Sequence, residues 1–112
     1  MQLESYIRDI PDFPKPGIIF KDITPLLMDA AAFDAALESM TGPYEIGSID
    51  KILAIESRGF IFGGAMARFL GCGLVLARKP DRLPADTIRD EYTLEYGTNA
   101  LEIHSDSIRE ND

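Results

Sequence analysis

Cysteine and histidine are almost missing from this 112-residue chain: Cys72 and His104 are the only ones. A single thiol closes no internal disulfide, which suits a reducing compartment. One of each makes no zinc-type ligand set, so no metal-ligating residues are expected. Basic residues are also scarce. Eleven Lys and Arg face 19 Asp and Glu, for a net charge of −8. Such a chain lacks the basic footprint that displaces counterions, so no nucleic-acid partner is expected. Long apolar runs are absent too, so neither a membrane span nor a secretory leader at Met1–Asp9 is expected, and a cytoplasmic location is. There is no glycine-rich dinucleotide fingerprint, no P-loop, and no serine with a histidine at motif spacing.

What is present is ordinary for a soluble globular protein: 46% apolar and 27% charged residues,. The length suits one domain over 1–112, large enough to bury a core. Leu3, Tyr6, Ile7 and Ile10 predict a short amphipathic helix over 2–9. Pro11, Pro14 and Pro16 then exclude regular helix. Ile18–Phe20 is a short extended piece, and Thr24-Pro25 marks a turn. Asp29 is a suitable N-cap for a helix over 30–41, with Phe33, Leu37 and Met40 on one face and Gly42-Pro43 as the stop.

A strand, turn, helix and strand follow. Lys51–Ile55 and Leu74–Ala77 are continuous apolar runs, as expected of strands covered on both faces. Phe60–Leu70 is apolar almost all round, which predicts a buried helix. Gly63-Gly64 within it suggests close packing against the sheet. This order implies two parallel strands joined by a right-handed crossover. Residues 80–90 read as an exposed loop. Glu91–Tyr96 and Leu101–His104 alternate about Gly97, predicting an antiparallel hairpin. The polar tail 105–112 carries no strand, and Cys72 reads as a small buried apolar residue.

Four stretches could carry chemistry. Glu56-Ser57-Arg58-Gly59 lies at the carboxyl end of a parallel strand, where open α/β sheets bind ligands. The next helix offers unpaired N–H groups to an anion, and Arg58 adds a fork of donors. The alternative is a plain turn whose arginine pairs with Glu56, a residue that otherwise repels anions. Arg78, Lys79 and Arg82, near the end of the next strand, could share that anion or be ordinary surface charge. Glu95, beside Tyr96, is either surface or a catalytic carboxylate, the latter requiring burial. Ile19, Phe20 and Lys21 could hold a flat heterocycle by stacking and backbone hydrogen bonds, or Phe20 could be core.

In order along the chain, Phe13-Pro-Lys-Pro-Gly-Ile-Ile-Phe-Lys-Asp-Ile-Thr-Pro25, Glu56-Ser-Arg-Gly-Phe60, Arg78-Lys79-Pro80 and Leu94-Glu-Tyr-Gly97 with Leu101-Glu102-Ile103 resemble the adenine phosphoribosyltransferases. The resemblance implies an α/β fold of type I phosphoribosyltransferase kind, truncated here. A parallel sheet core has flanking helices, an N-terminal hood over residues 1–28 and a mobile loop at 80–90. It implies transfer of ribose phosphate from phosphoribosyl pyrophosphate (PRPP) to adenine, giving AMP and pyrophosphate, with Mg2+ and in a homodimer. Ile19, Phe20 and Lys21 would hold adenine. Ser57, Arg58, Gly59, Arg78, Lys79 and Arg82 would meet the pyrophosphate. Glu95 would be catalytic, acting near N7 of the base, and the Glu56–Ser57 peptide would be cis. The family's apolar strand, acidic pair and Thr/Gly-rich PRPP loop do not follow Asp112. The expectation is therefore an incomplete copy with little activity alone. A non-catalytic adenine- or AMP-binding module, or a subunit pairing with a complete homologue, is the alternative.

Overall fold

The computed structural model describes residues 1–94 and 97–112. They form two compact units, Met1–Pro43 and Tyr44–Asp112.

In the first unit the helix expected over 2–9 is confined to a single 3₁₀ turn at Leu3–Tyr6. From Arg8 the chain is already extended, as β1 (Arg8–Pro11), antiparallel to β2 (Ile19–Asp22). So short an amphipathic stretch cannot sustain a helix by itself, and the ladder to β2 offers its backbone better partners. Two cross-strand ion pairs fix the register. The Arg8 guanidinium donates to Asp22 at 2.7 Å, and the Lys21 ammonium donates to Asp9 at 2.6 Å.

The turn expected at Thr24-Pro25 is instead the start of a helix, α1 (Thr24–Met28). Proline is tolerated in a first turn because its missing N–H has no helical partner there. Asp22 prepares this start: its carboxylate accepts from the Thr24 N–H and hydroxyl at 2.9 and 2.8 Å. The next helix, α2 (Ala30–Thr41), has the expected bounds, and the Asp29 carboxylate accepts from the Ala32 N–H at 2.9 Å,. Its buried face is centred on Ala32, Ala36 and Thr41, with Phe33 and Leu37 half-buried; Met40 lies off it, 43% exposed.

In the second unit β3 (Lys51–Ile55) and β4 (Gly73–Ala77) pair in parallel, Lys51 opposite Gly73 and Ile55 opposite Ala77. The crossover is α3 (Arg58–Leu70), which starts two residues earlier than expected. It ends on Gly71, whose φ of 71° is the left-handed cap that glycine adopts without penalty,. Gly63 is the contact point with the sheet: a Cβ there would lie 2.7 Å from the Ala54 Cβ and 3.3 Å from the Leu74 side chain. Gly64 has no such neighbour.

The expectation of strands covered on both faces fails for β3. Helix α3 lies on the face of Ile52, Ala54 and Leu74, while Leu53 and Ile55, which alternate with them, remain 48% and 49% exposed,. Nor is α3 buried all round, since Ile61 and Phe69 face outward. Cys72, expected to be buried, is only half-buried.

A hairpin of β5 (Thr87–Leu94) and β6 (Gly97–His104) completes the unit, pairing from Thr87 opposite His104 to Leu94 opposite Gly97. It begins earlier than its alternating pattern showed, so the last four residues of the 80–90 stretch are strand. One antiparallel bridge, Arg78 with Glu102, joins it to the end of β4. There the hairpin lies over the side of the sheet opposite α3, where a mainly apolar groove of about 220 Å³ is lined by Leu53, Ala77, Ile88, Asp90, Leu101 and Ile103. Lys51 donates to the Ser107 carbonyl at 3.0 Å and to the Asp112 carboxylate at 2.7 Å, tying the tail to β3.

Candidate functional site

The apolar run of β3 ends where its chemistry begins. The Glu56 N–H donates to the Ala77 carbonyl at 3.0 Å, extending the ladder by one residue. The Glu56–Ser57 peptide is cis, as the resemblance implied. Ser57 then occupies the cap of α3 without a side-chain capping bond, so its hydroxyl is not committed there. Ser57 and Arg58 are exposed, and Gly59 is half-buried. The 13-residue helix presents its positive end at this turn,.

Parallel pairing places the end of β4 beside this turn, bringing Arg78 and Lys79 to the same strand ends. The join is made by Glu56, whose Oε1 accepts from the Lys79 N–H at 2.6 Å and from Arg78 Nε at 3.3 Å. Its carboxyl is held below its ordinary range, first by the Lys79 N–H, then by the charge and hydrogen bond of Arg78, with Arg82 adding its charge. The arginine that answers Glu56 is therefore Arg78, from the neighbouring strand end. Partnered in this way, Glu56 no longer works against an anion: its charge is matched locally and organises the cationic segment. The Arg78 guanidinium also lies 6.0 Å from the Phe60 ring centroid, at the edge of cation–π range,.

Sequence reading missed Glu102. It lies on β6 within an unremarkable alternating run, yet only 8% of its surface is exposed. Its Oε1 accepts from the Asp81 N–H at 3.0 Å. In the sequence it stood within the Leu101-Glu102-Ile103 stretch of the resemblance, as a carboxylate alternating with apolar residues, which does not distinguish a buried acid from a solvated one.

The three candidates for a flat ligand lie on β2, in the first unit. Phe20 is half-buried, and its ring meets Phe13 edge to face at a centroid distance of 5.3 Å. Among the described residues no third strand pairs with β2, so alternate backbone N–H and C=O groups point away from β1,. A groove of about 500 Å³ lined by Glu4, Ile7, Asp9, Lys21 and Ile23 lies on the hairpin face opposite the Phe20 ring, because Lys21 and Phe20 alternate,. Glu95 lies outside the described residues.

No family model matches the chain. It is 54% identical over 108 residues to the adenine phosphoribosyltransferase of Geotalea daltonii, covering 96% of this chain and 63% of that protein. A crystal structure of the adenine phosphoribosyltransferase of Thermoanaerobacter pseudethanolicus superposes with a TM-score of 0.91 at 51% identity, over 99% of this chain and 64% of that one. The chain belongs to the adenine phosphoribosyltransferase family. Its fold is the α/β fold of these type I phosphoribosyltransferases, and it spans about 63% of the length of the curated relative. A third adenine phosphoribosyltransferase, from Giardia lamblia, was solved in complex with 9-deazaadenine. It shares a TM-score of 0.89 and 39% identity over 98% of this chain and 61% of that one.

Proposed function

We propose that this chain carries the base-binding and diphosphate-binding elements of an adenine phosphoribosyltransferase, which converts adenine and PRPP to AMP and pyrophosphate. The observation that carries this reading is the cationic end of the parallel pair. There the Arg58 turn opens α3, and Glu56 fastens Arg78 and Lys79 beside it.

The chemistry needs such an arrangement. As the bond from ribose C1 to the diphosphate oxygen lengthens, positive charge grows on the sugar and negative charge on the leaving group. Donors fixed in advance stabilise that negative charge without reorganising. Ser57, Arg58 and Gly59 would meet the diphosphate from the helix end, and Arg78, Lys79 and Arg82 from the adjacent strand end. Among the described residues no cluster of three or more His, Cys, Asp or Glu side chains is placed to hold a metal ion. By resemblance to the family, Mg2+ would enter with the diphosphate of PRPP, as part of the substrate.

Phe20 would stack on the purine, with the backbone of Ile19 and Lys21 reading its edge; the Giardia lamblia relative with bound 9-deazaadenine supports a purine ligand. Glu95 would act at N7. Residues 1–28 would form the hood, and the 80–90 stretch would close over the site and exclude water. The working enzyme would be a cytoplasmic homodimer. No helix among the described residues is long and apolar enough to cross a membrane.

Calorimetry tests the base site. Adenine should bind the wild-type chain, and Phe20→Ala should weaken binding by roughly 1–3 kcal/mol, the usual loss for a base–aromatic stack. Equal adenine affinity in the two proteins would refute the assignment of Phe20.

A further inference from the structure

The segment Arg78–Arg82 carries three of the charges assigned to the diphosphate, yet it is a turn with no ladder of its own. Two carboxylates grip it from different elements. Glu56, at the end of β3, accepts the Lys79 N–H at 2.6 Å. Glu102, on β6, accepts the Asp81 N–H at 3.0 Å. The main chain of Glu102 also brackets Arg78: the Arg78 N–H donates to the Glu102 carbonyl at 2.9 Å, and the Glu102 N–H donates to the Arg78 carbonyl at 2.7 Å. Asp81 itself has a φ of 67°, in the left-handed region that aspartate enters more readily than most non-glycine residues, and its N–H is held there by Glu102,.

A carboxylate this buried is costly unless its hydrogen bonds are made. Here its side chain accepts from the backbone N–H of Asp81, the one residue of Arg78–Arg82 with a positive φ. We propose that Glu102 is a positioning residue: its hydrogen bond to the Asp81 N–H sets the turn that aims Arg78, Lys79 and Arg82 at a diphosphate. This rests on the diphosphate reading of the strand ends. Glu102 touches no ligand itself. It acts through the backbone between the two arginines.

The test uses the isotope-labelled 112-residue chain and inorganic pyrophosphate with Mg2+, read by the amide resonances of Ser57–Gly59 and Arg78–Arg82. In wild type both groups should shift. Glu102→Gln keeps an oxygen acceptor for Asp81 and should bind pyrophosphate about as well as wild type. Glu102→Met keeps the volume without the acceptor and should bind on the order of tenfold more weakly, the scale expected when binding groups are misplaced by a fraction of an ångström. Wild-type shifts with equal affinity in Glu102→Met overturn the role of Glu102 and leave the diphosphate site standing. Equal losses in Gln and Met also overturn it, because the hydrogen bond is then not what matters. Absence of shifts in wild type overturns the site and the role together. Hydrogen exchange in the unliganded wild type gives a check that needs no variant. The Asp81 amide should be protected, and exchange at the rate of an unstructured peptide overturns the pinning.

Discussion

Asp22 and Glu56 are carboxylates put to related uses: each sits where a strand ends and fastens backbone there, Asp22 the next residues at Thr24 and Glu56 the neighbouring strand end at Lys79. Asp22 accepts from the Thr24 N–H and hydroxyl and from Arg8, and its pKa is lowered from 3.8 to about 2. The bond from the Thr24 N–H is the largest cause, followed by that from Arg8. Because the folded pKa lies below the unfolded one, the stabilisation is complete above about pH 4 and is lost as pH falls through about 2. Asp22→Asn should therefore lower urea resistance at neutral pH, and the gap to wild type should close as pH approaches 2. A gap that stays constant from pH 7 to pH 2 would contradict the assignment. The position of Asp22 before Thr24-Pro25 was visible in sequence; its ion pair was not, since Arg8 lies 14 residues away. The same holds at the strand ends. Arg58, Arg78 and Lys79 were legible as strand-end cations. That Arg78 is the partner of Glu56 depends on a pairing across 22 residues that only the parallel register creates.

Elements with a local signal at each end were read correctly, and those without one were not. Helix α2 has an N-cap, an apolar stripe and a proline stop. Asp29→Ala should cost about 1 kcal/mol and Asp29→Ser much less, measured by chemical denaturation. The stretch 2–9 had a stripe but no cap, and its backbone went to the β1–β2 ladder. In α3 the tight point is Gly63 over Ala54. Gly63→Ala should destabilise by about 1–3 kcal/mol through overpacking, even though alanine favours helix. Adding Ala54→Gly should recover part of that loss, because it removes the atom 2.7 Å from the new methyl,. Gly64→Ala, with nothing near, should be neutral or stabilising by thermal melting. If Gly63→Ala were also stabilising, the close approach would be wrong. Nothing in the sequence separated Gly63 from Gly64: the distinction lies in which residue of the helix faces the strand.

The whole chain combines a net charge of −8 with an apolar face on β3, where Leu53 and Ile55 are about half exposed. Charge repulsion opposes association through this apolar face near neutral pH, and protonation of the carboxylates weakens it. Light scattering should therefore show mass rising as pH falls below about 5, with less rise in Leu53→Glu at pH values where that side chain is ionised. An identical profile for the two proteins would mean that another surface drives association. The sequence by itself determined the family, the bounds of α2 and β3, the parallel crossover and the presence of a cationic strand end, because each is written in neighbouring residues: caps, apolar runs and turn motifs. Tertiary structure alone decided that β3 is covered on one face, that Arg78 answers Glu56 and that Glu102 is buried against the Asp81 turn. Each of these depends on which distant segments meet, and a carboxylate's environment is set by those neighbours in space rather than by its neighbours in the chain.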